Sequence, residues 1–210
     1  MSREPLVRVE GVAAVLLEPN INTDVIAPTV RRTGGNQIQS VADGAARLFG
    51  PWRYDESGAE RPEFVLNRAP FRNARFLIAG QNFACGSSRE TAALWLRDFG
   101  VRCVIAQSFG SIFFDNCFRN GILPLQVPAP AIATLANEAR TGALFQLDLQ
   151  AGVVSSAGGN TLTVSLPDFR RQLLMTGGDE IAITLGRDAE ITAYQSESMA
   201  RAPWIWKKED

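Results

Sequence analysis

The apolar positions of this 210-residue chain fall into short runs separated by glycine, proline and polar turns. Runs of strand length cover residues 75–79, 101–106 and 122–127, and segments with helical spacing cover residues 89–99 and 111–120 between them. Glycine follows each of these two helical segments. The alternation of strand and helix predicts parallel strands joined by right-handed crossovers, which form the centre of an α/β fold.

Further strands are predicted on both sides of this centre, as β-rich edges. Residues 6–17 have the pattern of one or two strands broken at Gly11, and two strands are predicted around a polar turn at residues 155–160. We therefore expect one domain over residues 1–210, with a mobile substrate loop at about residues 28–40. The outer predicted strands are residues 144–154, 161–166 and 181–185, and the outer predicted helices are residues 41–50, 129–140, 168–175 and 188–200.

Composition and charge argue against several classes of partner. The formal net charge is −1, and the pair Arg31–Arg32 is the main basic cluster, so we expect no nucleic-acid partner. The first residues lack the pattern of a secretory signal, and no apolar run is long enough to span a bilayer. These features predict a cytoplasmic protein with no membrane partner.

Histidine is absent, and this restricts the chemistry of the chain. Neither a Ser–His nor a Cys–His nucleophile pair can form, and a histidine-based zinc site cannot form either. Cys85, Cys103 and Cys117 are widely spaced, which disfavours a disulfide framework or a Cys-x-x-Cys metal site and is typical of small buried hydrophobic residues. A partner would have to supply any imidazole or metal that the reaction needs.

One loop, between the first central strand and the first central helix, carries the candidate chemistry. Open α/β sheets bind ligands at such positions, and the free N–H groups at a helix start favour anions. Gly86 lets the backbone approach a ligand, Ser87 and Ser88 add hydroxyls, and Arg89 offers a planar fork for a carboxylate. These residues predict a small carboxylate site. In the alternative interpretation, Ser88 only caps the helix while Arg89 and Glu90 are solvated charges.

Several segments resemble one protein family in the same order along the chain. Residues 80–92, GQNFACGSSRETA, resemble the GxNFGCGSSREHA segment of isopropylmalate dehydratase small subunits and the GSSRE stretch in the last domain of aconitases. Residues 22–28, NTDVIAP, resemble the family's NTDxIxP element. Residues 105–127 and 168–185 are also similar to family segments, so the resemblance spans nearly the whole chain.

This resemblance implies a fold, a reaction and a partner. The fold would be the swivelling β/β/α domain of the aconitase C-terminal region, with a parallel βαβ centre. The partner would be a separate large subunit that carries a 4Fe–4S cluster, with none bound by this chain, in a heterodimer. The reaction would be the reversible loss and return of water on a small hydroxy-dicarboxylate substrate. In this family it moves the hydroxyl between C2 and C3 of isopropylmalate in leucine biosynthesis.

The resemblance also implies roles for individual residues. Ser87 matches the serine that acts as the base, and Ser88 matches its neighbour, which binds substrate and supports the oxyanion. Arg89 matches the arginine that binds a substrate carboxylate. Asp24 matches the aspartate that pairs with a catalytic histidine of the cluster-bearing subunit. The other predicted substrate contacts are Thr23, Gly86, Arg31 and Arg32.

Three departures from the family pattern leave the substrate open. Thr91 replaces the usual histidine, and Ala27 stands where aconitases have a serine. The sequence of residues 29–35 differs from the usual dehydratase loop, so that Arg31 or Arg32 either reaches a distal carboxylate or stays solvated. The alternatives are therefore a small subunit acting on citraconate, a substituted maleate or homoaconitate, or a non-catalytic carboxylate-binding module.

Overall fold

In the part of the chain that the structure describes, seven strands form one mixed sheet. A computed structural model describes residues 4–28, 41–86, 89–177 and 180–206. The strands are β1 (Arg8–Leu16), β2 (Phe76–Ala79), β3 (Cys103–Ala106), β4 (Leu123–Gln126), β5 (Leu144–Asp148), β6 (Val153–Ser156) and β7 (Thr161–Thr163). Their order across the sheet is β4-β3-β2-β1-β5-β6-β7. The long N-terminal strand therefore lies in the middle of the sheet.

Helices flank the sheet and continue beyond it at the C-terminus. They are α1 (Thr23–Ile26), α2 (Val41–Arg47), α3 (Gly50–Arg53), α4 (Thr91–Phe99), α5 (Ser111–Arg119), α6 (Ala129–Ala139), α7 (Asp168–Thr176), α8 (Glu180–Leu185) and α9 (Asp188–Arg201). Short 3-10 helices cover Val65–Asn67, Phe71–Asn73 and Pro203–Ile205. In the described part of the chain, no helix has the length and apolar character needed to cross a bilayer.

Strand β1 joins a parallel half of the sheet to an antiparallel half. Its residues 13–16 pair in parallel with β2, while its residues 8–12 pair antiparallel with β5. Gly11 lies near this change of partner but does not break the strand. A Cβ atom at Gly11 would stand 2.5 Å from Cγ of Arg75, so the glycine makes room for that side chain. The predicted break at Gly11 is therefore wrong: the strand is continuous, and the glycine is needed for the close contact with Arg75.

Successive side chains of the buried strands point to opposite faces of the sheet, so the core has two layers. Phe76 and Ile78 of β2 belong to the layer that includes α6 and α7, whereas Leu77 and Ala79 belong to the layer that includes α4. Every residue of β2 and β3 is buried, as expected for parallel strands that are covered on both faces. The connections β2–α4–β3 and β3–α5–β4 leave the carboxyl ends of the parallel strands at one edge.

The predicted α/β centre agrees with the structure, but the prediction for residues 144–154 is wrong. This segment contains β5 and β6 joined by a tight turn. Oδ1 of Asp148 accepts a hydrogen bond from the N–H of Ala151 at 2.8 Å, and Gly152 has a φ of 72°. The aspartate and the glycine stabilise this turn and end the strand early.

The prediction of a strand at residues 181–185 is also wrong, because these residues lie in helix α8. Ile181 and Leu185 are 71% and 68% exposed, so this apolar run is not a buried strand. Nε of Arg119 lies 3.1 Å from Oε1 of Glu180 and ties the helix to α5. The segment pairs with neither edge of the sheet, so its backbone groups are satisfied within a helix instead.

Arg53 connects the helices before β2 to the segment that leads into that strand. The residue is 8% exposed, and its Nε donates to Oδ1 of Asn67 at 2.8 Å while Nη1 donates to the carbonyl oxygen of Ala45 at 2.9 Å. Nδ2 of Asn67 donates in return to the carbonyl oxygen of Arg53 at 2.8 Å. These bonds satisfy a buried guanidinium and fix α2 against α3.

Candidate active site

The loops after β1 and β2 pair with each other beyond the ends of these strands. The N–H of Ala84 donates to the carbonyl oxygen of Ile21 at 2.7 Å, and the N–H of Thr23 donates to the carbonyl oxygen of Cys85 at 2.9 Å. The two segments thereby extend the parallel pairing of their strands. This holds the start of α1 beside the loop that leads to α4.

The loop after β3 joins them from the other side. The N–H of Phe83 donates to the carbonyl oxygen of Ser108 at 3.0 Å, and the N–H of Gly110 donates to the carbonyl oxygen of Phe83 at 2.9 Å. Oγ of Ser108 accepts from the N–H of Asn82 at 2.8 Å, and Nδ2 of Asn82 donates to Oδ1 of Asn20 at 2.8 Å. These polar contacts are not predicted from the sequence, where the turn preference of asparagine is the one local signal for them.

Two glycines allow this close approach of three loops. A Cβ atom at Gly110 would stand 2.5 Å from the carbonyl oxygen of Ala84, and one at Gly80 would overlap the carbonyl oxygen of Leu17. Both obstacles are backbone atoms, which cannot rotate away as a flexible side chain can. The loops therefore reach their positions only because these two sites lack side chains.

The loop after β2 has an unusual backbone. The φ angles are 55° at Asn82, 56° at Ala84 and 104° at Gly86. Asparagine and glycine tolerate this region, whereas at Ala84 the left-handed conformation costs about 1–2 kcal/mol. The bonds that hold Ala84 between the neighbouring loops maintain this conformation. Backbone strain of this kind is concentrated at functional sites.

Asp24 and Arg89 meet at the edge that the three loops form. Asp24 lies in the first turn of α1. The N-cap residue of this helix is Asn22, whose Oδ1 accepts a hydrogen bond from the N–H of Val25 at 2.9 Å. Nη2 of Arg89 contacts Oδ1 of Asp24, and the two side chains are 37% and 66% exposed respectively. The structure thus brings together two predicted site residues from different loops, and both charges can be reached from solvent.

Glu90 has a partner of its own at the start of α4. It occupies the N-cap position without a side-chain bond to the helix, which begins at Thr91. Its Oε1 instead accepts a hydrogen bond from Nδ2 of Asn120 at 2.8 Å. Arg89 and Glu90 therefore each have a specific polar partner, but both side chains are accessible to solvent, so the interpretation as solvated charges stays an alternative.

The other predicted site residues divide into two groups. Thr23 is 2% exposed, and an ideal Cβ on Gly86 would lie 3.8 Å from Oγ1 of Thr23, so these two residues are neighbours below the ion pair. The remaining predicted residues lie outside the described residues, so their roles stay predictions. These are Ser87, Ser88, Arg31 and Arg32, together with most of the predicted mobile loop.

The cysteines do not form a metal-ligand set. Cys103 and Cys117 are fully buried, and burial raises the pKa of both thiols. Cys85 is partly buried, with Sγ 3.6 Å from the carbonyl oxygen of Asn20. Within the described ranges, no group of three or more histidine, cysteine, aspartate or glutamate side chains is placed to hold a metal ion. These residues do not fit a cluster held by thiolates.

A concavity of ligand size lies elsewhere on the chain. Its volume is about 320 Å³, and it is lined by Val15, Val65, Arg68, Phe71 and Arg140. None of the predicted site residues that the structure describes lines it. The candidate site is instead an open edge formed by the loops, as expected if a second surface is needed to enclose a substrate.

Comparison with known proteins points to one family. Residues 4–130 match the family model of the aconitase C-terminal domain. The chain is 45% identical over 201 residues to the 3-isopropylmalate dehydratase small subunit of Rhodospirillum centenum, which covers 92% of this chain and 95% of that relative. It is 40% identical over 209 residues to the 3-isopropylmalate dehydratase small subunit of Paramagnetospirillum magneticum, which covers 96% of this chain and all of that relative.

A solved structure supports the same fold. The crystal structure of 3-isopropylmalate dehydratase from Methanocaldococcus jannaschii matches with a TM-score of 0.60 at 23% identity, covering 90% of this chain and 99% of that chain. The predicted swivelling α/β fold is therefore confirmed. Because the sequence similarity extends over nearly the full length of both relatives, the chain belongs to the 3-isopropylmalate dehydratase small-subunit family, whose members carry the aconitase C-terminal domain.

Proposed function

We propose that this chain is the small subunit of a two-part hydro-lyase that interconverts 2-isopropylmalate and 3-isopropylmalate in leucine biosynthesis. Dehydration removes a hydroxyl from one carbon and a proton from its neighbour, and rehydration returns them in exchanged positions. Relatives named for this activity align with 92% and 96% of the chain, which supports the proposal. In this proposal residues 1–210 form one swivelling domain that closes over the site.

The contact between Arg89 and Asp24 is the observation that carries the proposal. A guanidinium fork matches a carboxylate, and both side chains lie where the carboxyl ends of parallel strands meet. In the isolated chain each charge satisfies the other. A substrate carboxylate can replace Asp24 on Arg89, and an imidazolium from a partner can replace Arg89 on Asp24, because both groups are exposed.

Ser87 and Ser88 are the proposed proton-transfer pair. Oγ of Ser87, as an alkoxide, takes the proton from the substrate carbon next to the one that loses its hydroxyl, and it returns the proton to the other carbon on rehydration. A serine hydroxyl ionises far above neutral pH, so the alkoxide needs a strong positive potential. Arg89 and the free N–H groups at the start of α4 contribute that potential. Ser88 binds the substrate and supports the oxyanion.

The remaining groups are proposed to come from a large subunit. The sequence has no histidine, so the imidazole that pairs with Asp24 must lie on another chain. The cysteines of this chain do not fit a cluster, so the 4Fe–4S cluster is also assigned to the partner. When bound, an open iron of such a cluster acts as a Lewis acid on the substrate hydroxyl.

Arg89→Ala in the assembled enzyme tests the proposal. The chain is co-purified with its cognate large subunit, the cluster is reconstituted, and conversion of 3-isopropylmalate is followed. We expect kcat/KM to fall by about 100-fold or more, because a charged fork contact is lost. Arg170→Ala is the matched control, since it removes the guanidinium of the Arg170–Asp115 pair of similar exposure, 35% and 54%, on α7 and α5. Equal activity of both variants would refute the proposal.

Two further measurements separate the competing functions. Rates on citraconate, a substituted maleate and homoaconitate, compared with 3-isopropylmalate, identify the preferred acid. Full activity of Ser87→Ala in the complex would favour a carboxylate-binding module without a catalytic role. Turnover by the purified chain without iron and partner would contradict the assignment of half the site to another subunit.

A further inference from the structure

We propose that Glu90 and Asn120 are positioning residues that hold Arg89 in the orientation that binds a substrate carboxylate. This inference rests on the proposed function, because it takes Arg89 to be a substrate-binding residue. It adds to that function two residues from different elements that do not themselves touch the substrate.

The side-chain amide of Asn120 is fixed by its surroundings. Asn120 is 2% exposed and forms the C-cap of α5. Its Nδ2 donates one hydrogen to Oε1 of Glu90 at 2.8 Å and the other to the carbonyl oxygen of Asn116 at 2.9 Å. Because a backbone carbonyl can only accept, the amide nitrogen and not its oxygen must point this way. Glu90 therefore receives a hydrogen-bond donor in a single orientation.

The bond between Glu90 and Asn120 links the start of α4 to the end of α5. The N-cap of α4 makes no side-chain bond within its own helix, so the contact with α5 restrains the start of the helix. Glu90 directly follows Arg89 in the chain. On the other side of Arg89, residues 83–85 are bound to the loops after β1 and β3. The backbone that follows Arg89 is thus restrained by the bond to Asn120, although the side chain of Arg89 is partly exposed.

A purely structural role for Asn120 would be to end α5. Its backbone N–H already does this by donating to the carbonyl oxygens of Asn116 and Cys117, each at 3.0 Å. The side chain adds one bond within the same turn and one to another element. The second bond, to Glu90, does nothing for the end of α5 and acts on the segment that carries Arg89.

Asn120→Asp in the assembled enzyme tests this role. The substitution keeps the size of the side chain but places a carboxylate against Glu90. We expect KM for 3-isopropylmalate to rise by about 10- to 100-fold, as for the loss of groups that orient a ligand-binding residue, with a smaller change in kcat. Lowering the pH should bring KM back towards the starting value, because a proton shared by the two carboxyl groups restores a donor.

Asn160→Asp is the matched control. Nδ2 of Asn160 donates to Oε2 of Glu138 at 2.9 Å, so this variant creates the same pair of carboxylates in the turn between β6 and β7. We expect it to lower the melting temperature without changing KM. In the isolated chain, hydrogen exchange of residues 89–93 should accelerate in Asn120→Asp and stay unchanged in Asn160→Asp. The double variant Asn120→Asp, Glu90→Gln reverses donor and acceptor between the two side chains and should bring KM part of the way back, since the bond to the carbonyl oxygen of Asn116 stays lost.

The outcomes separate this inference from the proposed function. If Arg89→Ala raises KM while Asn120→Asp matches Asn160→Asp in KM and exchange, the inference is refuted and the proposed function stands. If Arg89→Ala leaves kcat/KM unchanged, the proposed function and the inference both fail. If Asn120→Asp does not fold, Glu90→Ala replaces it, since Glu90 is exposed and alanine removes the acceptor for Nδ2 of Asn120. An unchanged KM and unchanged exchange in Glu90→Ala would refute the positioning role.

Discussion

Gly110→Ala should distort the candidate active site without removing any of its functional side chains. A new Cβ at this position would stand 2.5 Å from the carbonyl oxygen of Ala84, against an ordinary contact distance of about 3.4 Å. The loops after β2 and β3 must therefore separate by about 0.9 Å. This movement stretches the bond from the N–H of Gly110 to the carbonyl oxygen of Phe83, now 2.9 Å, beyond hydrogen-bonding range.

The size of the effect follows from these two contributions. Overpacking in a well-packed region costs about 1–3 kcal/mol, and one lost hydrogen bond costs about 1 kcal/mol. We therefore expect the free energy of unfolding to fall by about 2–4 kcal/mol. A displacement close to 1 Å in the loop before Arg89 should lower kcat/KM of the assembled enzyme by about 100-fold.

Urea denaturation of the isolated chain measures the first quantity, and conversion of 3-isopropylmalate by the complex measures the second. Gly50→Ala is the control, because Gly50 also lies at the start of a helix but its Cβ would meet only Cγ of Pro28, at 3.4 Å. We expect this control to have the free energy of unfolding and the kcat/KM of the unsubstituted protein. A Gly110→Ala enzyme with the stability and kcat/KM of the control would refute the idea that the close packing of the loops positions the site.

Three further predictions concern other parts of the molecule. Arg53→Met should lower the free energy of unfolding in urea by about 3–5 kcal/mol, because it leaves one buried and one partly buried acceptor without a donor. Burial raises the pKa of the Cys103 and Cys117 thiols, so alkylation of the native chain near pH 8, followed by mass spectrometry, should label Cys85 first. Burial also raises the pKa of Asp98, whose Oδ2 has no hydrogen-bond partner within the described structure, so stability is lost as the pH rises through the folded-state pKa. Asp98→Asn should therefore raise the melting temperature at neutral pH, and the gain should vanish below about pH 4.

The centre of the fold could be predicted because its strands and helices carry local signals. Each buried strand is a short apolar run, and Gly100 ends α4 in the left-handed conformation that a glycine favours. The prediction for the segment containing Ile181 and Leu185 is wrong because a five-residue run has no period that distinguishes a strand from a helix. The segment is helical because it lies beside α5 and not at an edge of the sheet. That position depends on the tertiary structure and not on the local sequence.

The candidate site could be predicted only in part. The pattern around Arg89 indicated an anion site, but its meeting with Asp24 depends on how two distant loops pair, and only the family resemblance linked these residues. The bond between Glu90 and Asn120 left no signal in the sequence, because neither the spacing nor the residue types require it. Roles that depend on Ser87 remain predictions.

The strand that joins the two halves of the sheet leaves the ribosome before both of its partner strands. β1 ends at residue 16, whereas its neighbours β2 and β5 begin at residues 76 and 144. At roughly 5–20 residues per second, β1 waits several seconds for its first partner and longer for its second. Pairings between distant segments also form slowly, because the intervening chain must be ordered first. We therefore expect β1 to dock late in folding, and its unpaired apolar edge to be where nascent chains associate with one another.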